Sequence, residues 1–345
     1  MSKKKIIIIV SILLVSITII VIGFNSKKSY AVGTTLVDTV KALNKGSSWS
    51  AGASGVYYTN SHEYRYVGAE VNNYVKFNND LYRIIGVFDS NSHGKSGEMV
   101  KLIRSRPLGG YSWGVYNSSN TSGTYSNYKN DWTGTTSKVK ANLNVLLNEY
   151  FYNKTSTSST YGDCANWTYY YSNNSYKTKD CSDIITYGID SSLRGYIETT
   201  TWYLYGSGTS QSKQNWYLCE RGGNSCTPSG TNQGDASVTS KMGLMYLSDY
   251  LYASGYYSNV DTSTQGQFYF GNKNWLYKGD EWTQTPYASD ADSVWSLSLG
   301  NAGSFSSIFS NGWRPTFYLK SSVYVTGGNG SFDNPYTIAC DNCIE

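Results

Sequence analysis

The chain has 345 residues, with 34 Tyr, 34 Gly and 50 Ser but only 15% charged residues. So many aromatics with so little charge exclude a disordered chain, and a composition not led by Ala, Glu, Lys and Leu excludes a helical bundle. Two histidines leave little room for a zinc site or for His-centred catalysis.

Lys3, Lys4 and Lys5 precede Ile6–Phe24, 19 residues without a charge, and Ser29-Tyr30-Ala31 has small residues at both positions of a signal-peptidase site. Residues 1–31 read either as a signal peptide cleaved after Ala31 or as an uncleaved N-terminal membrane anchor. Both readings place the rest of the chain outside the cytoplasm, secreted or at the cell surface, with membrane contact only through residues 6–24. Five of the 28 Lys+Arg and none of the 24 Asp+Glu lie in this leader, which leaves 23 against 24, a formal charge of −1. The exported part has no basic run of the kind a nucleic-acid surface needs. Its weak overall charge also predicts recognition that is insensitive to salt.

Leu36, Val37, Val40 and Leu43 have helical spacing, so residues 32–55 read as a short helix followed by a Gly/Ser linker. Short strands are predicted at Val56–Tyr58, Tyr64–Val67, Tyr74–Phe77, Leu81–Phe88 and Met99–Arg104, with Asn78-Asn79-Asp80 as a tight turn. Asp89 to Gly94 resembles the opening of a calcium loop, but Val100 stands where the bidentate Glu is needed, so a polar turn is expected. Val139, Leu143, Leu146, Leu147 and Tyr150 predict a helix capped by Thr136 or Ser137. A second helix is predicted after Asp190, carrying Leu193, Tyr196, Ile197 and Trp202 and stopped by Gly206. Lys241–Leu247 reads as a buried strand, with a turn of helix from Ser248 ending at Gly255. Further strands are predicted at Trp275–Tyr277, Trp282–Thr285, Val294–Leu299, Trp313–Leu319 and Val323–Thr326. The pattern is α+β: β-rich, with antiparallel strands and two or three short helices. It predicts one domain over residues 56–326 and a loosely attached tail over 327–345.

Six cysteines allow 15 pairings, and export favours disulfides. Sequential pairing is the simplest: Cys164 with Cys181, Cys219 with Cys226, and Cys340 with Cys343. Cys219–Cys226 reads as a stapled hairpin tip that presents Arg221. Cys340–Cys343 reads as a terminal disulfide or a tail docking site, because a redox pair needs a following helix. Six Asn-x-Ser/Thr sequons, at Asn117, Asn120, Asn153, Asn166, Asn173 and Asn329, are what so Asn- and Ser-rich a chain produces by chance.

Asn73–Phe88 followed by Val100–Arg104 resembles a block of exported proteins from low-GC Gram-positive bacteria. Trp282–Tyr287, Val294–Leu299, Gly312-Trp-Arg-Pro315 and Tyr318-Leu319 are similar to bacterial C-type-lectin-like domains, the fold that also hosts formylglycine-generating enzymes. The resemblance implies a lectin-like core. It does not carry calcium-dependent sugar binding, because Pro286 stands between Thr285 and Tyr287 and no Trp-Asn-Asp strand follows. Nor does it carry formylglycine chemistry, because no cysteine lies between Cys226 and Cys340.

Among carboxylates, Asp280-Glu281 and Asp290/Asp292 are the densest near the second block, but neighbouring residues do not form the facing pair that a glycosidase needs. No cofactor motif or metal-ligand set is present, so none is expected. Aromatics are the stronger signal. Tyr82, Trp282, Trp295, Trp313 and Phe317 are predicted core. Trp167–Tyr176 and Tyr250–Tyr257 combine Tyr with Ser, Gly and Asn, the mixture of recognition loops. Tyr169, Tyr170, Tyr171, Arg221, Tyr287, Asp290 and Asp292 are therefore the candidate ligand-binding residues. The function expected is an exported, adhesin-like or lectin-like module for a glycan or protein ligand. The alternative is an exported carboxylate-based hydrolase on the same scaffold.

Overall fold

The computed structural model describes residues 33–114, 130–134, 140–173, 175–223, 226–228, 235–255 and 273–345. The leader, the sequons at Asn117 and Asn120, the cap at Thr136 or Ser137, residues 256–257 and the side chains of Tyr171 and Tyr176 lie outside the described residues. Thr34–Glu345 forms one compact unit. It is β-rich, with seven short helices among the described residues where two or three were expected.

The larger sheet has eight strands around Asp80–Phe88. That strand pairs with Met99–Arg104 on one edge and with Tyr64–Val67 and Tyr74–Phe77 on the other, all antiparallel. Its run Tyr82–Phe88 is buried throughout, as expected of a strand covered on both faces. Asn78 and Asn79 close its hairpin with φ of 56° and 55°, a left-handed pair that asparagine tolerates in tight hairpin turns. Gly86 sits at an irregularity in the pairing, and a Cβ there would lie 2.3 Å from the Tyr64 carbonyl oxygen.

The expected boundaries at 56 and 326 are not boundaries of packing. Helix Leu36–Ala42 buries Leu36, Val37 and Val40, and Leu36 N–H donates to the Val323 carbonyl at 2.9 Å. Strand Tyr336–Ala339 runs parallel to Tyr74–Phe77 and antiparallel to Tyr324–Gly327. The tail is therefore docked rather than loose: Tyr152 donates to Glu345 at 3.1 Å and Tyr324 to Asp341 at 2.7 Å. The Gly327–Gly330 run, which reads as a turn, opens the connection between the paired strands Tyr324–Gly327 and Tyr336–Ala339.

The second sheet runs Asn301–Ser306, Ser293–Ser298, Glu281–Pro286, Asn311–Trp313, Leu108–Tyr111. Glu281–Pro286 is buried at all six positions, and Trp282 Nε1 donates to the Tyr111 carbonyl at 2.8 Å. The expected strand Trp313–Leu319 is two strands. Asn311–Trp313 belongs to this sheet, and Thr316–Tyr318 pairs with Met99–Arg104 in the other. Pro315 has no N–H for a ladder, so the chain changes sheets there. Val75, Tyr82, Trp282, Trp313 and Phe317 share one core. The sheets are mixed, with parallel pairs at Glu281/Gly312 and Tyr336/Val75.

Other elements also differ from expectation. The first long helix starts at Asn142 and widens to π geometry over Leu146–Phe151. The helix after Asp190 is the single turn Ser191–Arg194. Trp202 lies instead in strand Thr200–Tyr203, where the Thr-Thr-Trp-Tyr run favours an extended backbone. Of the expected strand Lys241–Leu247, residues 242–246 are buried but irregular, with a bridge at Gly243–Thr316, Leu247 begins a helix, and Trp275–Leu276 is a turn. Helix Lys213–Glu220 and strand Asn301–Ser306 have no counterpart in the sequence reading.

Candidate functional site

Five buried or nearly buried charged residues, Glu63, Arg65, Lys101, Arg221 and Asp249, form one network. Arg65, on strand Tyr64–Val67, donates to Glu63 Oε2 at 2.6 Å and to Asp249 Oδ1 at 2.9 Å. Lys101, on strand Met99–Arg104, reaches Asp249 Oδ2 at 2.6 Å. Asp249 lies in the first turn of helix Leu247–Tyr252 and accepts Tyr246 N–H at 2.9 Å. Lys101 Nζ lies 4.5–5.4 Å from the ring centroids of Phe88, Trp202, Tyr246 and Tyr318. The Arg65 guanidinium sits between Phe88 at 4.6 Å and Tyr252 at 4.7 Å. Burial opposes ionisation of Asp249, but Lys101 and Arg65 outweigh it and hold the carboxyl below its usual range.

Arg221 continues this network. Its Nε and Nη2 donate to Ser92 Oγ at 3.3 and 3.0 Å, its Nη1 donates to the Tyr217 carbonyl at 2.9 Å, and it stacks 3.8 Å from the Tyr217 ring centroid. Ser92 Oγ in turn donates to Glu63 Oε1. Arg221 was expected on a hairpin tip facing a ligand. It instead follows helix Lys213–Glu220 directly, so the Cys219–Cys226 staple starts from a helix end, and its side chain is 8% exposed. Glu220 accepts Ser248 N–H at 3.1 Å, the Ser248 hydroxyl, and Thr285 Oγ1–H at 2.6 Å. Burial pushes the Glu220 carboxyl up, against the pull of Arg221.

The two densest carboxylate groups are already engaged. Asp280 accepts Leu299 N–H at 2.9 Å, while the adjacent Glu281 is buried and grips Arg314 through two contacts of 2.6 and 2.7 Å. Arg314 also donates to the Leu276 carbonyl at 2.5 Å, fixing the segment that passes between the sheets. Asp290 is exposed and holds its own turn, accepting Asp292 N–H at 2.9 Å and Ser293 Oγ–H at 2.8 Å. The Asp292 carbonyl accepts Ser307 N–H at 2.7 Å. Tyr287 is half-buried, edge-on to Trp295 at 5.5 Å. Asn130, which the sequence did not single out, pins this turn through the carbonyls of Tyr287 at 3.0 Å and Ser293 at 2.6 Å. Among the described residues, no three His, Cys, Asp or Glu are grouped to hold a metal ion.

His93 is buried and donates Nε2–H to the Phe88 carbonyl at 3.1 Å while Nδ1 accepts Lys95 N–H at 3.2 Å. Burial lowers its pKa, so the ring is a neutral core group. Tyr250 and Tyr252, expected in a recognition loop, are core residues of helix Leu247–Tyr252.

Tyr169 and Tyr170 are half-buried on strand Tyr169–Ser172, which pairs with Ser175–Thr178. The Cys164–Cys181 disulfide spans the base of this hairpin, with a Cα–Cα distance of 6.0 Å. Ser112 N–H donates to the Tyr169 carbonyl at 2.7 Å, and Lys179 Nζ lies 4.8 Å from the Tyr170 ring centroid. The structure thus holds Tyr169 and Tyr170 together and sets Arg221 inside the core; Tyr287, Asp290 and Asp292 share a separate turn. All three disulfides pair sequentially, which fits an oxidising compartment. Among the described residues no helix is long and apolar enough to cross a membrane. No family model, curated protein or solved structure matches this chain.

Proposed function

We propose that the chain is an exported, adhesin-like binding module on a C-type-lectin-like scaffold, acting at the cell surface or in the medium on a glycan or protein ligand. The observation that carries this reading is the stapled hairpin Tyr169–Thr178. A disulfide at its base and a backbone bond to Ser112 fix it, and Tyr169 and Tyr170 remain partly open. Rigid, partly exposed tyrosines offer contact area at low entropic cost. The leader and the three disulfides support export. The engagement of Asp249, Glu220 and Glu281 in internal bonds weighs against the hydrolase alternative.

A glycan and protein array probed with the full-length protein tests the reading. A retained ligand, released by Tyr169→Ala with Tyr170→Ala, is the expected result. Retention of nothing, together with hydrolysis that Asp290→Asn or Asp292→Asn abolishes, would replace this reading with the hydrolase.

A further inference from the structure

A cleft of about 420 Å³ opens where three segments meet. The Asn78-Asn79 hairpin supplies Lys76, Asn79 and Asp80. The end of strand Met99–Arg104 supplies Arg104 and Arg106, and Tyr187 ends helix Ser182–Tyr187. The volume lies within the roughly 300–1,000 Å³ of small-molecule sites.

Its floor is built rather than incidental. Arg104 is 3% exposed, yet its residue lines the cleft. Its Nε donates to Asp80 Oδ2 at 2.6 Å and its Nη1 to the carbonyls of Arg106 and Pro107 at 2.8 and 3.3 Å. Its guanidinium carbon lies 4.0 Å from the Tyr187 ring centroid. Nη2 has no protein partner among the described residues. Asn78 locks the arrangement, donating to the carbonyls of Tyr187 and Gly188 at 3.2 and 2.8 Å and accepting Asp190 N–H at 2.8 Å.

The charge is one-sided. Asp80, the acid of this cleft, has both oxygens taken, Oδ2 by Arg104 and Oδ1 by Leu81 N–H at 2.8 Å. Lys76 and Arg106 are exposed, with no ion pair among the described residues. Three cations face one satisfied carboxylate, although residues 32–345 together carry a formal charge of −1. Tyr187 is 36% exposed and offers an apolar surface beside them.

We infer that this cleft binds an acidic saccharide. The sugar ring packs on Tyr187. Its carboxylate or sulfate meets Arg104 Nη2, Arg106 and Lys76, and Asn79 and Ser105 serve the hydroxyls. An uncharged sugar would leave the cations unmatched, and an apolar ligand would strip them of water. The inference rests on the ligand-binding reading above and names a site outside the tyrosine hairpin. It also predicts salt-sensitive binding, because exposed cations are screened, in contrast to what the near-neutral total implies.

The test is titration of the full-length protein with a galacturonic-acid oligomer, a sulfated dextran fragment and an uncharged dextran fragment. At least one acidic saccharide should bind, and the uncharged one about tenfold more weakly or not at all. Lys76→Ala with Arg106→Ala should weaken acidic binding by about tenfold at unchanged thermal midpoint, since both side chains are exposed. Which acid binds decides between carboxylate and sulfate. Equal binding of charged and uncharged fragments, binding untouched by the double variant, or no binding of either acid would overturn the cleft assignment. In each of these cases the hairpin-dependent ligand of the array, if retained, leaves the broader reading standing. An array that retains nothing removes both.

Discussion

Lys101 Nζ lies 2.6 Å from Asp249 Oδ2, and both side chains are wholly buried. The two residues are 148 positions apart. The pair joins a strand of the larger sheet to the helix Leu247–Tyr252, and Arg65 joins Asp249 to Tyr64–Val67, the strand on the opposite edge of Asp80–Phe88. Buried ions cost stability unless paired, so the contact constrains how these elements dock more than it stabilises them over an apolar alternative.

Lys101→Met leaves the network with one more carboxylate than cation, and should cost about 3–5 kcal/mol in urea unfolding. Lys101→Met combined with Asp249→Asn restores the balance and should cost clearly less than the sum of the single changes. Additive costs would show that the two groups are not coupled.

The pH dependence follows from opposite shifts. Asp249 is held below its ordinary 3.8, so it contributes stability that is whole above that value and lost as pH falls through its lower folded value. Glu220 is raised by burial above its ordinary 4.5, so it costs stability as pH rises through its folded value. Urea midpoints across acid to neutral pH should therefore lose their acid-side slope in Asp249→Asn. Glu220→Gln should instead gain relative stability toward neutral pH.

Arg221→Ala should lower the unfolding midpoint and leave affinity for an array ligand unchanged in the folded fraction. It removes the guanidinium that bonds Ser92 and the Tyr217 carbonyl inside the core. A loss of affinity at unchanged stability would return Arg221 to the ligand surface.

Cys164→Ser with Cys181→Ser opens a link between residues 17 apart. The expected cost is about 3 kcal/mol for a loop of that size. Hydrogen exchange should quicken first in Tyr169–Thr178 and leave the amides of Asp80–Phe88 protected.

Tyr169→Ala with Tyr170→Ala should weaken ligand retention while moving the thermal midpoint only slightly, because both rings are half-buried. Unfolding of the double variant would place these rings among the structural aromatics.

The sequence by itself determined what local pattern and composition control. Strands Tyr64–Val67, Tyr74–Phe77 and Met99–Arg104 match their predicted bounds, because alternation and turn residues act within a few positions. Asn78-Asn79 marked its hairpin because few residues tolerate two left-handed conformations. Export and an even cysteine count pointed to disulfides, and sequential pairing was the simplest of the 15 arrangements. Tertiary structure alone decided the rest. Nothing local marked Glu63, Arg65, Lys101 and Asp249 as a buried set, because their partners lie on distant elements. Arg221 looked like a ligand contact because the turn residues that follow it hid the helix that precedes it. The 327–345 tail looked loose because a parallel pairing with Tyr74–Phe77 leaves no local signal. The Arg104–Tyr187 cleft was equally hidden: its walls come from three segments, and only folding brings their cations together.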